Sequence, residues 1–412
     1  MTSTAMVTAG FDADVLTQQE PMYQFIDEVL STIGPRESCS TAERKLGERV
    51  AAAWEKLGFE VRREPYSCHP AAFLAGIPIG AIMYAIAVVL YWYQPAVAGL
   101  VSLAFLALVF FQSLNYRRIL DPLFAKGEGV NVAAVVPSRG ECVRRVVVNA
   151  HLDSAYEFTL WYRLKNAASP LMVIGALAAF VPLMGGVVAL TGWGSDSTIT
   201  NIGWVAVGLL PFVLSFLFFR SSRSVPGAMD DLAGVAVLMG LGDVMAGSGA
   251  LKDTELVILA TGAEEAGLRG AMSWANKHRA EIESVPTYAI VIDGVYDESF
   301  LRVMTNEVLA FVKHDAELVS LAKRVAAARD WTMTENIVPL GASDGTAFHR
   351  AGMKTALLMC QDTSRFVPNY HTRNDVLEYI RPISLTVMLQ VVKDMVVALD
   401  GGQSRSASSA GV

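Results

Sequence analysis

Two hydrophobic patterns divide this chain between them. The first alternates in short periods. QEPMYQFIDEVLSTIG (19–34) and STAERKLGERVAAAWEKLG (40–58) place apolar residues at helical spacing. In the second of these, Ser40 or Thr41 is the expected cap and Gly58 the stop. Short β-branched runs follow: FEVRREPY, GVNVAAVVP, RRVVVNA, TELVILAT, TYAIVID and FLRVMT. Helical patterns at 231–247, 267–282, 313–329 and 384–399 separate or follow them. Strands alternating with helices predict an α/β fold, a mostly parallel central sheet with helices on both faces.

The second pattern has no period at all. No charged residue occurs from Pro70 to Tyr116, and Gln94-Pro95 breaks that run into halves at 70–93 and 96–115. A second pair, 167–190 and 201–219, flanks the polar turn GWGSDSTITN. Each segment is long enough to cross about 30 Å of hydrocarbon as a helix. Tyr91, Trp92 and Tyr93, Trp161 and Tyr162, and Trp193 and Trp204 lie where interfacial aromatics belong. Four inserted transmembrane helices are therefore expected, as hairpins at 70–115 and 167–219. The remaining segments 1–69, 116–166 and 220–400 form one domain, and 401–412 is expected to be a disordered tail.

Composition fits that division. The chain is 53% hydrophobic and only 18% charged, with mean hydropathy +0.39. A net charge of -7 excludes nucleic acid as a partner, since that role needs basic surface. Arg62, Arg63, Arg117, Arg118 and Lys126 flank the open side of the first hairpin; Arg163, Lys165, Arg220 and Arg223 flank the second. The hairpin turns carry no Lys or Arg, so the polar domain is expected on the cytoplasmic face. The first thirty residues have no apolar h-region, so no cleavable signal peptide is expected. Four cysteines (Cys39, Cys68, Cys142, Cys360) far apart in sequence make neither a disulfide framework nor a cysteine metal site.

The chemistry gathers at the carboxyl ends of the strands, where open α/β sheets bind ligands. RRVVVNA leads to His151 and Asp153, TELVILAT to Glu264 and Glu265, and TYAIVID ends on Asp293. Asp230 in PGAMDDLAG and His371 in NYHTRND come from loops. Taken singly, each has a plain structural explanation as a cap or a loop hydrogen bond. Together they are a zinc donor set. Asp230 would bridge two zinc ions, with His151 and Asp293 on one and Glu265 and His371 on the other. Asp153 would orient His151, and Glu264 would be the base that takes the proton of an attacking water. Asp231 is expected to cap the following helix. His278 and His314, in charged helical surroundings, are expected at the surface.

The order HLDS, GAMDDLAG, TGAEEAGLRGA, VID and YHTRND resembles the clan MH di-zinc exopeptidases, among them leucyl aminopeptidases and glutamate carboxypeptidases. The resemblance implies the same five ligands, with Asp230 bridging, Glu264 as base and Asp153 behind His151. It adds Tyr370, matching a tyrosine that steadies the oxyanion in some members. It also adds Asp344, in the loop-like segment SDGTAFHRAGMKTALL beside the substrate cleft. The membrane insertions depart from the usual member. The expected function is a membrane-embedded zinc aminopeptidase; a dipeptidase or carboxypeptidase, or a non-catalytic receptor or scaffold, are the alternatives. Expected partners are the lipid bilayer and peptides, amphipathic or membrane-derived, with a homo-oligomer also allowed.

Overall fold

In the computed structural model of the chain, residues 10–248, 251–363 and 369–401 are described. The expected disordered tail lies, from residue 402 on, outside the described residues. The chain forms two compact units. One comprises His69–Lys126 and Tyr156–Arg223, and the other comprises the rest.

The larger unit is built on nine strands: β1 (Glu60–Cys68), β2 (Gly127–Val136), β3 (Arg144–His151), β4 (Thr254–Thr261), β5 (Thr287–Val295), β6 (Leu301–Glu307), β7 (Val312–Lys313), β8 (Thr334–Val338) and β9 (Lys354–Cys360). Their spatial order is β1-β2-β4-β3-β5-β9-β6-β7, with β8 also paired to β6. The four central strands, β4, β3, β5 and β9, run parallel. Antiparallel pairs close both sides: β1 with β2 and β2 with β4 on one, β6 with β9 on the other. The sheet is thus parallel where the site lies and mixed overall.

Alternate residues of the central strands face opposite ways, and both sets are buried. Val146, Val148, Leu256, Ile258, Ile290 and Ile292 join one core with Ile26, Val50, Trp54, Leu238 and Met388 from helices Gln19–Thr32, Thr41–Lys56, Ala233–Ser248 and Pro382–Asp400. On the other face, Ala133, Val135 and Val257 lie against Trp274 and Ile282. Near-continuous apolar strands are what two covered faces require.

Several local expectations change. The 267–282 helix breaks at His278 into Arg269–Lys277 and Arg279–Ser284. The segment read as a loop around SDGTAFHR is instead a short helix, Asp344–Arg350, whose N-cap Ser343 accepts from Gly345 N–H at 3.1 Å. KTALLMC beyond it is β9, a fully covered strand. His278 and His314 are buried, at 6% and 3% exposure, because each has an acidic partner inside the fold. His278 Nε2 lies 2.7 Å from Glu64, and His314 Nε2 3.2 Å from Glu307.

The smaller unit is helical. Ala72–Tyr91 is followed by Pro95–Leu108, which loosens into a wider π-helical turn over Val109–Leu114. Thr159–Thr191 is interrupted by a 3-10 turn at Lys165–Ala167, and Asp196–Leu214 completes the set. Half of the expected polar turn is therefore helix, because Ser195 caps it by accepting from Thr198 N–H. Tyr84 Oη donates to Ala206 O at 2.9 Å and Tyr91 Oη to Ile199 O at 3.1 Å, tying the two hairpins together. At Gly99 a Cβ would stand 3.1 Å from Gly186 Cα, so backbones meet where only small residues fit. The outer faces carry Val89, Leu100, Leu177, Leu190 and Phe218, each more than half exposed.

Among the described residues, five helices are long and apolar enough to cross a membrane. Four belong to the smaller unit. The fifth, Pro382–Asp400, packs Leu385, Met388, Leu389 and Val392 into the core of the larger unit.

Candidate metal centre

Each candidate side chain is delivered by a different piece of the larger unit. His151 is the last residue of β3, in register with Thr261 at the end of β4. Glu264 and Glu265 follow on the turn after β4, and Asp293 lies near the end of β5. Asp230 sits in the irregular turn Ala228–Leu232, its peptide to Asp231 cis, and His371 has a left-handed backbone with φ +49°.

These pieces converge. Ligand atoms of His151, Asp230 and Asp293 lie within 4.8 Å of one another, and so do those of Asp230, Glu265 and His371. Asp230 is common to both groups. One of its carboxylate oxygens is 3.1 Å from His151 Nε2, and the other is 3.0 Å from His371 Nε2. His371 Nε2 is also 3.2 Å from Glu265 Oε1. Each group offers one imidazole nitrogen and two carboxylates, a donor set that suits zinc. The arrangement fits two ions sharing one carboxylate. Glu264 belongs to neither group.

Packing so many acids together has electrostatic consequences. Burial raises the Asp293 carboxyl to about 7, helped by the charge of Asp230. Burial likewise holds Glu264 well above the carboxylate range. Asp230 is buried too, but its two imidazole partners outweigh that and keep it ionised. Burial works against charge on His371, yet Glu265 and Asp230 lift it to about 10. A crowded set of negative groups fixed in place is a site prepared for cations.

Asp153 does more than expected. Its backbone carbonyl lies 3.2 Å and its carboxylate 3.4 Å from His151 Nδ1. The same carboxylate accepts from the N–H groups of Glu264, at 3.0 Å, and Glu265, at 3.1 Å, and from Ser38 Oγ at 2.6 Å. One buried side chain thus sets the turn that presents both glutamates. Asp231 accepts from Gly234 N–H at 3.2 Å, capping the helix as expected, and from His151 N–H at 3.1 Å. Tyr370 stacks on His371, ring centroids 4.0 Å apart. Asp344 is buried against the end of β4, accepts from Thr261 Oγ1, and belongs to neither ligand group.

Three supporting residues escaped the sequence reading. Asp375 accepts from Met229 N–H at 2.7 Å and Asp230 N–H at 3.2 Å, holding the shared ligand from behind. Arg36 is fully buried and donates to the carbonyls of Leu152, Pro226 and Gly227, each at 2.9 Å. Glu43 accepts from Ala263 N–H, just before the glutamate pair, and from Cys39 N–H, both at 2.7 Å. Asp375 stood within the NYHTRND motif and Glu43 three residues after the expected cap. Nothing in the sequence around Arg36 separates it from a solvent-exposed arginine.

The fold and this site together define an α/β domain that gathers two groups of metal-ligand-type residues at the ends of its parallel strands. Residues 211–396 match the model of Peptidase family M28. No curated protein matches the sequence. Among solved structures, the chain resembles a zinc aminopeptidase from Bacillus subtilis, at 15% identity and TM-score 0.56, covering 92% of this chain and 94% of that one. It resembles an aminopeptidase from Aneurinibacillus sp. strain AM-1, at 15% identity and TM-score 0.54, with 92% and 93% covered. A glutaminyl cyclase from Bacteroides thetaiotaomicron is similar at 12% identity and TM-score 0.54, with 92% and 97% covered. At these identities the likeness is one of fold.

Proposed function

We propose that the chain is a membrane-embedded di-zinc aminopeptidase. The observation that carries this reading is the pair of ligand groups sharing Asp230, with Glu264 beside them and committed to neither. His151 and Asp293 would hold one zinc and Glu265 and His371 the other, with Asp230 between them. Bound zinc supplies Lewis-acid polarisation of the scissile carbonyl and acidifies water.

The residues of the chain do the rest. Glu264, which belongs to neither ligand group, would in its ionised form accept a proton from the attacking water and return it to the leaving amine. Asp153 fixes the backbone of the Glu264–Glu265 turn by accepting from both of their N–H groups. Tyr370, whose ring stacks on that of His371, would donate its hydroxyl to the developing oxyanion. The membrane part of the reading rests on four long helices whose outward faces are apolar, in the unit inserted between β1 and β2 and between His151 and Asp230. Amphipathic or membrane-derived peptides are the substrates we favour.

The test is a hydrolysis screen of the detergent-purified protein against free-amine and N-blocked peptides, with and without chelator. Cleavage of free-amine peptides, lost with chelator and restored by zinc, is the expected result. Cleavage of N-blocked peptides alone would replace the aminopeptidase reading with a carboxypeptidase one. A single zinc per chain by elemental analysis would sink the dinuclear site.

A further inference from the structure

Cys39 and Cys68 stand 29 positions apart in sequence, yet their Sγ atoms lie 3.0 Å apart. Both are free thiols. Cys39 lies in the loop before helix Thr41–Lys56, and Cys68 ends β1, paired with Gly127 of β2. Tyr66, Ala263 and Ala266 close around the pair. Cys68 is buried, whereas Cys39 is partly open to solvent. A disulfide has an S–S length of about 2.05 Å, so closure needs the sulfurs to approach by only about 1 Å.

We infer that Cys39 and Cys68 are a redox-modifiable dithiol that a small-molecule disulfide such as oxidised glutathione converts to an intramolecular disulfide. The solvent-reachable Cys39 thiolate attacks the reagent, releasing one glutathione thiol and leaving a mixed disulfide on Cys39. The Cys68 thiolate then attacks the Cys39 sulfur and expels the second glutathione thiol. Two protein thiols are oxidised, one glutathione disulfide is reduced to two thiols, and the two protons pass to the leaving thiolates. The 3.0 Å separation of the two sulfurs favours this second step over persistence of the mixed disulfide. Contact with Cys68 and burial push the Cys39 thiol up, so the exchange quickens as pH rises.

The position gives the cross-link a lever. Cys39 N–H and Ala263 N–H bind the same Glu43 carboxylate, and Ser38 holds Asp153. Tying Cys39 to the end of β1 restrains this loop without adding or removing any of those bonds. The inference stands on these residues alone and holds whether or not the chain is a peptidase.

The test uses the full-length protein in detergent. It is incubated with excess oxidised glutathione at pH 8, alkylated while denatured, and mapped by peptide mass spectrometry. A Cys39–Cys68 cross-linked peptide is expected, together with a rise in thermal midpoint of about 5 °C that dithiothreitol reverses. Cys39→Ser and Cys68→Ser abolish both effects, and Cys142→Ser abolishes neither. Glutathione adducts without the cross-linked peptide, two unmodified thiols, or a midpoint that does not rise would each overturn the inference.

Discussion

Glu264 is the residue on which the chemistry turns. Replacing it by Gln keeps the side chain's size and removes its proton-carrying capacity. Hydrolysis is expected to fall by about 10²–10⁴-fold while two zinc ions remain bound, checked by kinetics and elemental analysis of the same sample. Asp153→Asn should act differently, loosening the support of His151 and of the Glu264–Glu265 turn. Zinc affinity is expected to drop about 10–100-fold in a competition titration. Away from the site, the His278–Glu64 pair carries a pH signature. Its hydrogen bond with Glu64 raises the His278 pKa. Burial opposes charge on Glu64, but His278 and Lys277 overcome it and lower that group. The His278 contribution is therefore complete below its unfolded pKa and disappears as pH rises through its folded one. The Glu64 contribution is complete above its unfolded value and disappears as pH falls. His278→Gln should cost more thermal stability at pH 6 than at pH 9; an equal loss at both would deny the ion pair. The five ligand-type residues were legible because each ends a strand or opens a loop motif. Arg36, His278 and His314 were not, since whether a charge is buried depends on partners brought from distant segments, such as Leu152, Glu64 and Glu307.

Among the elements, the turn after β4 is held by contacts of unusual closeness. A Cβ on Gly270 would meet the carbonyl oxygen of Gly262 at 2.1 Å, and backbone cannot move aside as a flexible side chain does. Gly270→Ala is expected to destabilise the larger unit by about 1–3 kcal/mol and to displace the Glu264–Glu265 turn. Chemical denaturation and zinc content would report the two effects. A milder case is Ser40, whose side chain accepts from Glu43 N–H at 3.1 Å. Ser40→Ala should cost about 1 kcal/mol in the same measurement. The six strands read from β-branched runs are all present, and three of them, β3, β4 and β5, are covered parallel strands that need continuous apolar sequence. β9 was hidden by its setting, a seven-residue strand that opens on Lys354 and Thr355 shortly after a short helix and a Gly. The Asp344–Arg350 helix is too short for its periodicity to show.

At the scale of the whole molecule, the hairpins predict a topology. Trp193 sits at the tip between two apolar helices, and Lys126 precedes β2. In sealed vesicles, Trp193→Cys and Lys126→Cys should react with a membrane-impermeant thiol reagent from opposite sides, in a Cys39→Ser, Cys142→Ser background. Labelling of both from one side would refute the membrane reading. The chain order has a further consequence, for biosynthesis. His151 leaves the ribosome 79 residues ahead of Asp230, and the segment between them is the second hairpin. At about 5–20 residues per second, that separation lasts roughly 4–16 s. During it the nascent chain holds one of the three residues of one ligand group and nothing of the other. If the hairpin is a membrane insert, a polypeptide still in the cytosol has no complete centre, and its destination is settled before it can cut anything.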